Sequence, residues 1–320
     1  MLVNHLILPS AENIPTRDGY GEGVVEAGRK NPNVVVLCAD LTESTRSQWF
    51  QEEFPDRFVE IGVAEQNLVT VATGMAAVGK IPFASSYATF SPGRNWEQIR
   101  TTIAYNNRPV KIVGAHAGIS VGPDGATHQA LEDVALMRAL PNMTVLVPCD
   151  YVEARKATLA AVDRPSPVYL RLGREKTPVF TTGETPFEIG KAEIFRTGID
   201  VTIVACGSLV YQALLAANEL AKDSIAAEVI NSPSIKPLDV DTIVGSAQKT
   251  GRVVTAEEHQ INGGLGGAVA EVLGEKYPVP MRRVGVQDRF GQSGKADELM
   301  KEYGLDAAAI VQAVKELQNV

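Results

Sequence analysis

Glu65 stands in the stretch Glu60-Ile-Gly-Val-Ala-Glu-Gln-Asn67, behind a short apolar strand-like run and ahead of a helix candidate, 68–78, that carries almost no charge. That setting places a carboxylate inside the protein at a strand-to-helix junction. An ionised acid there is costly unless it is hydrogen-bonded, and an unpaired one takes up a proton instead. Either its own fold satisfies it, or it waits for a ligand that offers a basic nitrogen. Three further segments follow apolar runs in the same way: Ala39-Asp-Leu-Thr-Glu-Ser44, Ser86-Tyr87-Ala-Thr-Phe90-Ser-Pro-Gly93, and His116-Ala-Gly-Ile-Ser-Val-Gly-Pro-Asp124-Gly-Ala-Thr-His128-Gln. An acid, two aromatics, two histidines and a glycine-bearing loop from one edge of one sheet would make an active-site inventory, because ligands gather beyond the carboxyl ends of strands in open α/β sheets.

The elements that must carry these loops alternate. Short β-rich runs recur at 34–38, 58–61, 81–85, 110–115, 144–147 and 168–172, with helical periodicity between most of them, which predicts a parallel sheet covered by helices on both faces. From 175 to 188 the pattern dissolves into Lys-Thr-Pro, Thr-Thr-Gly and Thr-Pro, a turn-rich segment suited to a linker. Strand runs then resume at 200–206, 226–231, 252–256 and 281–286, separated by helix candidates at 210–222, 240–249, 264–276, 296–303 and 307–317. The fold class is α/β with two doubly wound domains: 1–188, including the linker, and a smaller 189–320.

Composition limits what such a protein can bind. With 320 residues, 45% hydrophobic and 21% charged, the chain has the balance of a globular protein of two ordinary domains. A net charge of −8 leaves no basic excess for nucleic acid or a membrane surface, so any anionic substrate must be met by local arginines. Cys38, Cys149 and Cys206 lie far apart in apolar runs, which suits reduced cysteines in the cytoplasm better than disulfides or a metal site. No run reaches the roughly 18 apolar residues of a membrane span, and the amino terminus lacks the basic start and apolar core of a leader, so a cytoplasmic location is expected.

Taken in order, Gly-Val-Ala-Glu65-Gln-Asn, Tyr87-Ala-Thr-Phe90, Asp124-Gly-Ala-Thr-His128 and Pro-Asn-Met-Thr-Val-Leu-Val-Pro-Cys-Asp resemble the pyrimidine-binding domain of the transketolase family. The later stretches Glu257-Glu-His-Gln-Ile-Asn-Gly-Gly-Leu-Gly and Asp288-Arg-Phe-Gly-Gln-Ser-Gly294 are similar to that family's C-terminal domain. The resemblance implies thiamine diphosphate as cofactor. A carboxylate bonded to the aminopyrimidine N1′ favours the imino tautomer, whose neighbouring nitrogen takes the C2 proton of the thiazolium, and the cofactor then carries a two-carbon ketol unit from a ketose phosphate to an aldose phosphate. By this resemblance Glu65 is the activating acid, Phe90 stacks on the pyrimidine with Tyr87 nearby, and His128, His116 and Asp124 meet the sugar donor, the histidines handling protons. Arg174, Arg17 and Ser44 match the pocket for the substrate phosphate, where arginine's planar fork suits phosphate oxygens. His259 sits in the second domain beside Gly263-Gly-Leu-Gly-Gly267, glycines that are read as close helix packing, not as a phosphate cradle. The sequence departs from the family at Ser91-Pro-Gly93, where transketolases continue with further aromatics.

Family members anchor the diphosphate through Mg²⁺ or Ca²⁺ with a Gly-Asp-Gly motif, and this chain has none; Arg17-Asp-Gly19 and Pro123-Asp-Gly125 belong to other features. The resemblance therefore implies the C-terminal subunit of a split transketolase. A separate N-terminal chain would supply the metal and diphosphate sites, the cofactor would be shared between chains, and two copies of each subunit would be the natural assembly. Nearby alternatives are the beta subunit of a 2-oxoacid dehydrogenase decarboxylase component, which also lacks the metal motif, deoxyxylulose-phosphate synthase, which normally has arginine in place of His116, and a non-catalytic remnant. The Asp124 loop and Arg174 favour sugar phosphates over the first. The reading depends on Glu65 facing a crevice with room for a planar heterocycle.

Overall fold

The structure is a computed structural model that describes residues 12–318. Its larger sheet runs in the order β12 (Ser234–Lys236), β6 (Thr144–Leu146), β7 (Val168–Arg171), β5 (Lys111–Ala115), β4 (Ile81–Tyr87), β2 (Val34–Cys38) and β3 (Phe58–Glu60). All neighbours are parallel except β12 with β6. The second sheet runs β14 (Met281–Val286), β13 (Val253–Gln260), β10 (Val201–Ala205), β11 (Ala227–Asn231) and β9 (Glu193–Arg196), with β9 its antiparallel edge. Central strands such as Val-Val-Val-Leu-Cys of β2 are buried at every position, as expected where helices cover both faces of a parallel sheet. This is the doubly wound α/β architecture that the alternating pattern predicts.

Three features differ from the sequence reading. The turn-rich segment 175–188 contains a short strand, β8 (Lys176–Pro178), which pairs antiparallel with β1 (Asn13–Pro15). That pairing sets Pro15 opposite Lys176, and the Gly173 amide donates to Thr16 Oγ1 at 2.8 Å, so Arg17 and Arg174 are drawn to the same place from opposite ends of the first domain. Second, β12 lies in the second half of the sequence yet completes the first sheet, so the two domains interlock. Third, the edge strand β9 has no apolar run to announce it and exists through its pairing with β11.

The core also runs across the domain boundary. Val145, Val147, Met137 and Leu140 of the first domain share one apolar cluster with Val204, Ile230, Ile243 and Leu265 of the second. The helix Thr16–Lys30, which presents Arg17, lies against the helix Tyr151–Val162 at very short range. A Cβ at Gly19 would fall 2.2 Å from the Tyr151 carbonyl oxygen, so glycine permits the approach. Cys38, Cys149 and Cys206 are buried free thiols, and among the described residues no helix is long and apolar enough to cross a membrane.

Candidate active site

The four chemically loaded segments leave the carboxyl ends of β2, β3, β4 and β5, which are adjacent in the sheet order β5-β4-β2-β3, while Arg174 follows β7 beside β5. Glu60, at the end of β3, ties two of them together. Its Oε1 accepts from the Asp40 and Gly62 amides, and its Oε2 from the Thr42 hydroxyl.

Glu65 is the first residue of the helix Glu65–Ala77 and is 2% exposed. A negative group in a first helical turn is favoured by the unpaired amides there. Its carboxylate does find a partner within the chain: Arg94 Nη1 donates to Oε2 at 2.8 Å. The next residue, Asn95, donates from Nδ2 to the Glu65 carbonyl and to Ser91 Oγ. The turn after Phe90 therefore wraps the acid, and sequence reasoning stopped one residue short of it. A Cβ at Gly93 would lie 2.0 Å from the Thr89 carbonyl oxygen, so only glycine fits that turn. Gly93→Ala is expected to cost on the order of 1–3 kcal/mol through this overlap, with thermal unfolding as the measure; an unchanged melting point would mean the turn is not tight.

From Arg94 a line of ring contacts leads along the site. The guanidinium carbon of Arg94 sits 4.9 Å from the centre of the Phe90 ring. Phe90 lies edge-on to His128 at 5.4 Å and stacks with Tyr87 at 6.1 Å, and Tyr87 stacks on His116 at 4.0 Å. His128 is half-buried, and its Nδ1 lies 2.9 Å from the Thr127 hydroxyl.

His116 joins the aromatic line to a basin of arginines. Arg17 Nη1 lies 3.1 Å from His116 Nε2 and also donates to the Ser44 carbonyl at 3.0 Å. Because guanidinium can only donate, Nε2 accepts, and the ring proton sits on Nδ1, a buried atom without a partner among the described residues. The backbone at His116 has a φ of 54°, a left-handed conformation that is uncommon outside glycine and that tends to be retained at functional sites. Ser44 takes part through its backbone oxygen. Arg174 donates to the Val121 carbonyl at 2.8 Å and pairs with Asp124 at 3.4 Å. Arg46, another residue that sequence reasoning missed, pairs with Asp18. Burial, and then Arg46, lower Arg17 from its ordinary value.

Burial, followed by Arg17 and Arg174, pulls the His116 imidazole from 6.5 down to about 3. The ring is thus neutral at any working pH. Imidazole NMR signals of His116 are expected to stay in the neutral Nδ1–H form between pH 5 and 8; a titration in that window would contradict the geometry. Between about 3 and 6.5 the unfolded chain binds more protons at this residue than the folded one. The stability it contributes is therefore complete above 6.5 and is lost as pH falls toward 3.

The second domain grips the His116–His128 loop. Glu258 accepts from the Ser120 amide and the Ser208 hydroxyl, Arg171 donates to the carbonyls of Ala130 and Glu258, and Gln129 donates to the Gln292 carbonyl. His259 is buried, accepting from the Ala135 amide and donating to its neighbour's carbonyl, while Glu257 caps the helix Leu265–Lys276 at Leu265 and Gly266. These residues hold structure together and stand outside the line of site contacts.

Of the residues singled out from sequence, Glu65, Phe90, Tyr87, His128, His116, Arg17 and Ser44 are linked, through Arg94, by one run of contacts, while Arg174 and Asp124 pair with each other on the loop that follows His116. The planar guanidinium of Arg94 pairs with the Glu65 carboxylate and lies over the face of Phe90, so the acid and the aromatic face are brought together. Among the described residues no three His, Cys, Asp or Glu side chains converge as a metal site.

Residues 12–179 match the transketolase pyrimidine-binding domain, and residues 190–310 match the transketolase C-terminal domain. The chain is 44% identical over 301 residues to the 6-deoxy-6-sulfo-D-fructose transketolase subunit SqwH of Clostridium sp. (strain MSTE9), covering 94% of each chain. It is 38% identical over 304 residues to one of the subunits of the apulose-4-phosphate transketolase of Phocaeicola vulgatus, covering 95% of this chain and 97% of that one. A solved structure described as a split gene transketolase, inactive beta4 tetramer, superposes with a TM-score of 0.90 at 49% identity, covering 96% of this chain and 99% of that one. The chain belongs to the transketolase family and corresponds to the C-terminal subunit of its split members, comprising the pyrimidine-binding and C-terminal domains.

Proposed function

We propose that this chain is one half of a thiamine-diphosphate-dependent transketolase, active with an N-terminal partner chain that carries the Mg²⁺ or Ca²⁺ and diphosphate sites, in an assembly of two copies of each. The observation that carries this reading is the single contact line from Glu65 through Arg94, Phe90, Tyr87 and His116 to Arg17: a buried acid beside an aromatic face at one end and a basin of arginines at the other. When bound, the cofactor supplies the nucleophilic carbon that accepts and releases the two-carbon unit.

This chain's residues then do the following. Glu65 receives the pyrimidine N1′ and holds a proton there. Phe90, with Tyr87 behind it, supports one ring face. His128, half-buried and beside the Thr127 hydroxyl, is placed to move a proton at the donor's hydroxyl groups. His116 offers its Nδ1–H as a neutral donor, and Asp124 accepts from a sugar hydroxyl. Arg17 and Arg174 hold the anionic end of the substrate, which relieves the crowding of Arg17, Arg46 and Arg174.

The relatives named for a sulfonated sugar and a phosphorylated one make a tetrahedral anionic terminus the shared feature, and a sugar phosphate is the substrate proposed here. The test is reconstitution: the chain alone should be inactive, and mixing it with an N-terminal transketolase subunit from the same organism should yield ketol transfer that requires thiamine diphosphate and a divalent cation. Turnover by this chain alone would overturn the two-chain reading.

A further inference from the structure

Arg94 is the feature that neither the family resemblance nor the proposed reaction uses. Its guanidinium is flat, positively charged and hydrogen-bonds Glu65 Oε2 at 2.8 Å while lying 4.9 Å over the Phe90 ring centre. A protonated aminopyrimidine is also flat, cationic along its N1′ edge, and needs the same carboxylate and the same aromatic face. Arg94 bonds only Oε2, but a ring stacked on the Phe90 face that the guanidinium covers has to displace it. Arg94 is also free to leave: its side chain is 51% exposed, whereas Glu65 is 2% exposed. The anchors around it do not depend on that guanidinium, since Asn95 holds the Glu65 backbone and Ser91 independently. The tight turn at Ser91-Pro-Gly93 leads directly into Arg94.

The geometry points to Arg94 as a built-in stand-in for the aminopyrimidine: it pairs with Glu65 in the free chain, and it must swing out toward solvent when thiamine diphosphate binds. This rests on the reading of Glu65 as the acid that receives the pyrimidine. Two consequences follow. The buried acid is satisfied before the partner chain arrives, and cofactor affinity is reduced by the fraction of time Arg94 occupies the place.

The test uses the assembled two-chain protein and measures thiamine diphosphate affinity calorimetrically, with Mg²⁺ present, for the wild type, Arg94→Ala and Arg94→Gln. Both variants are expected to bind about five- to tenfold tighter, the worth of one typical hydrogen bond. The ratio to wild type should shrink as salt rises, because a half-exposed ion pair is screened. The free variant chains should melt at lower temperature than the wild type, since Glu65 loses its partner. Equal affinity, or weaker binding by the variants, overturns the inference; the latter would mean that Arg94 stays and packs on the bound ring. If no form of the complex binds thiamine diphosphate, the two-chain reading falls, and this inference with it.

Discussion

Replacing Glu65 with alanine is expected to lower turnover of the assembled enzyme by about 10²–10⁴-fold, the range for losing a positioned proton-transfer group, without unfolding the chain. The fold tolerates the change because the acid's partner is half-exposed: freed from Glu65, Arg94 meets water rather than a low-dielectric interior. The first helical turn keeps its remaining contacts, including the bond from Asn95 Nδ2 to the residue-65 carbonyl. Glu65→Gln separates proton handling from shape. The amide has nearly the same size and can still hydrogen-bond a ring, but it cannot carry the charge that stabilises a proton at N1′. Steady-state kinetics should find it almost as impaired as alanine, with thermal unfolding and circular dichroism close to wild type. Glutamine retaining more than a tenth of wild-type turnover would remove Glu65 from the chemistry.

Much of this was legible in the sequence for a definite reason. A parallel strand buried on both faces reads as a continuous apolar run, so β2, β5, β7 and β10 announce themselves, and the loops after such strands are where side chains can meet a ligand. The short strands β1, β8, β9 and β12 did not, because each exists through pairing with a distant segment rather than through its own pattern. The same limit hid Arg94. Nothing local to Ser91-Pro-Gly93-Arg94 says that an exposed arginine reaches back 29 positions to a buried acid. Arg171 was hidden differently, inside the apolar run of β7, where burial of a guanidinium makes sense only once its partners from two other segments are in view.

Those partners make Arg171 and Asp133 the pair whose disruption should cost the most stability. Arg171 Nε donates to Asp133 Oδ2 at 2.7 Å, the Tyr169 hydroxyl donates to the same oxygen at 2.7 Å, and Arg171 Nη2 reaches Ala130 in the first domain and Glu258 in the second. The pair side chains are 7% and 1% exposed. Removing one member strands the other charge away from water, which costs about 3–5 kcal/mol in such settings, whereas replacing both with apolar groups can be nearly neutral. Arg171→Met should therefore be strongly destabilising, and Asp133→Leu likewise. The double substitution should recover part of the loss, although the Ala130 and Glu258 carbonyls still lose their donor. Calorimetric unfolding of the three variants gives the coupling, and additive losses would mean the two groups do not act as a pair. Acid supplies an independent check. Burial alone would raise the Asp133 carboxyl, but Arg171, with the Tyr169 hydroxyl, outweighs it and holds the group below its ordinary 3.8. Its contribution is thus present above 3.8 and is lost as pH falls through the lower folded value, so the Asp133→Leu chain should lose less stability than wild type over that acid range. Since Arg171 also fixes Ala130, at the end of the His116–His128 loop, the destabilised single variants should lose ketol transfer at temperatures where their far-ultraviolet spectra are still native.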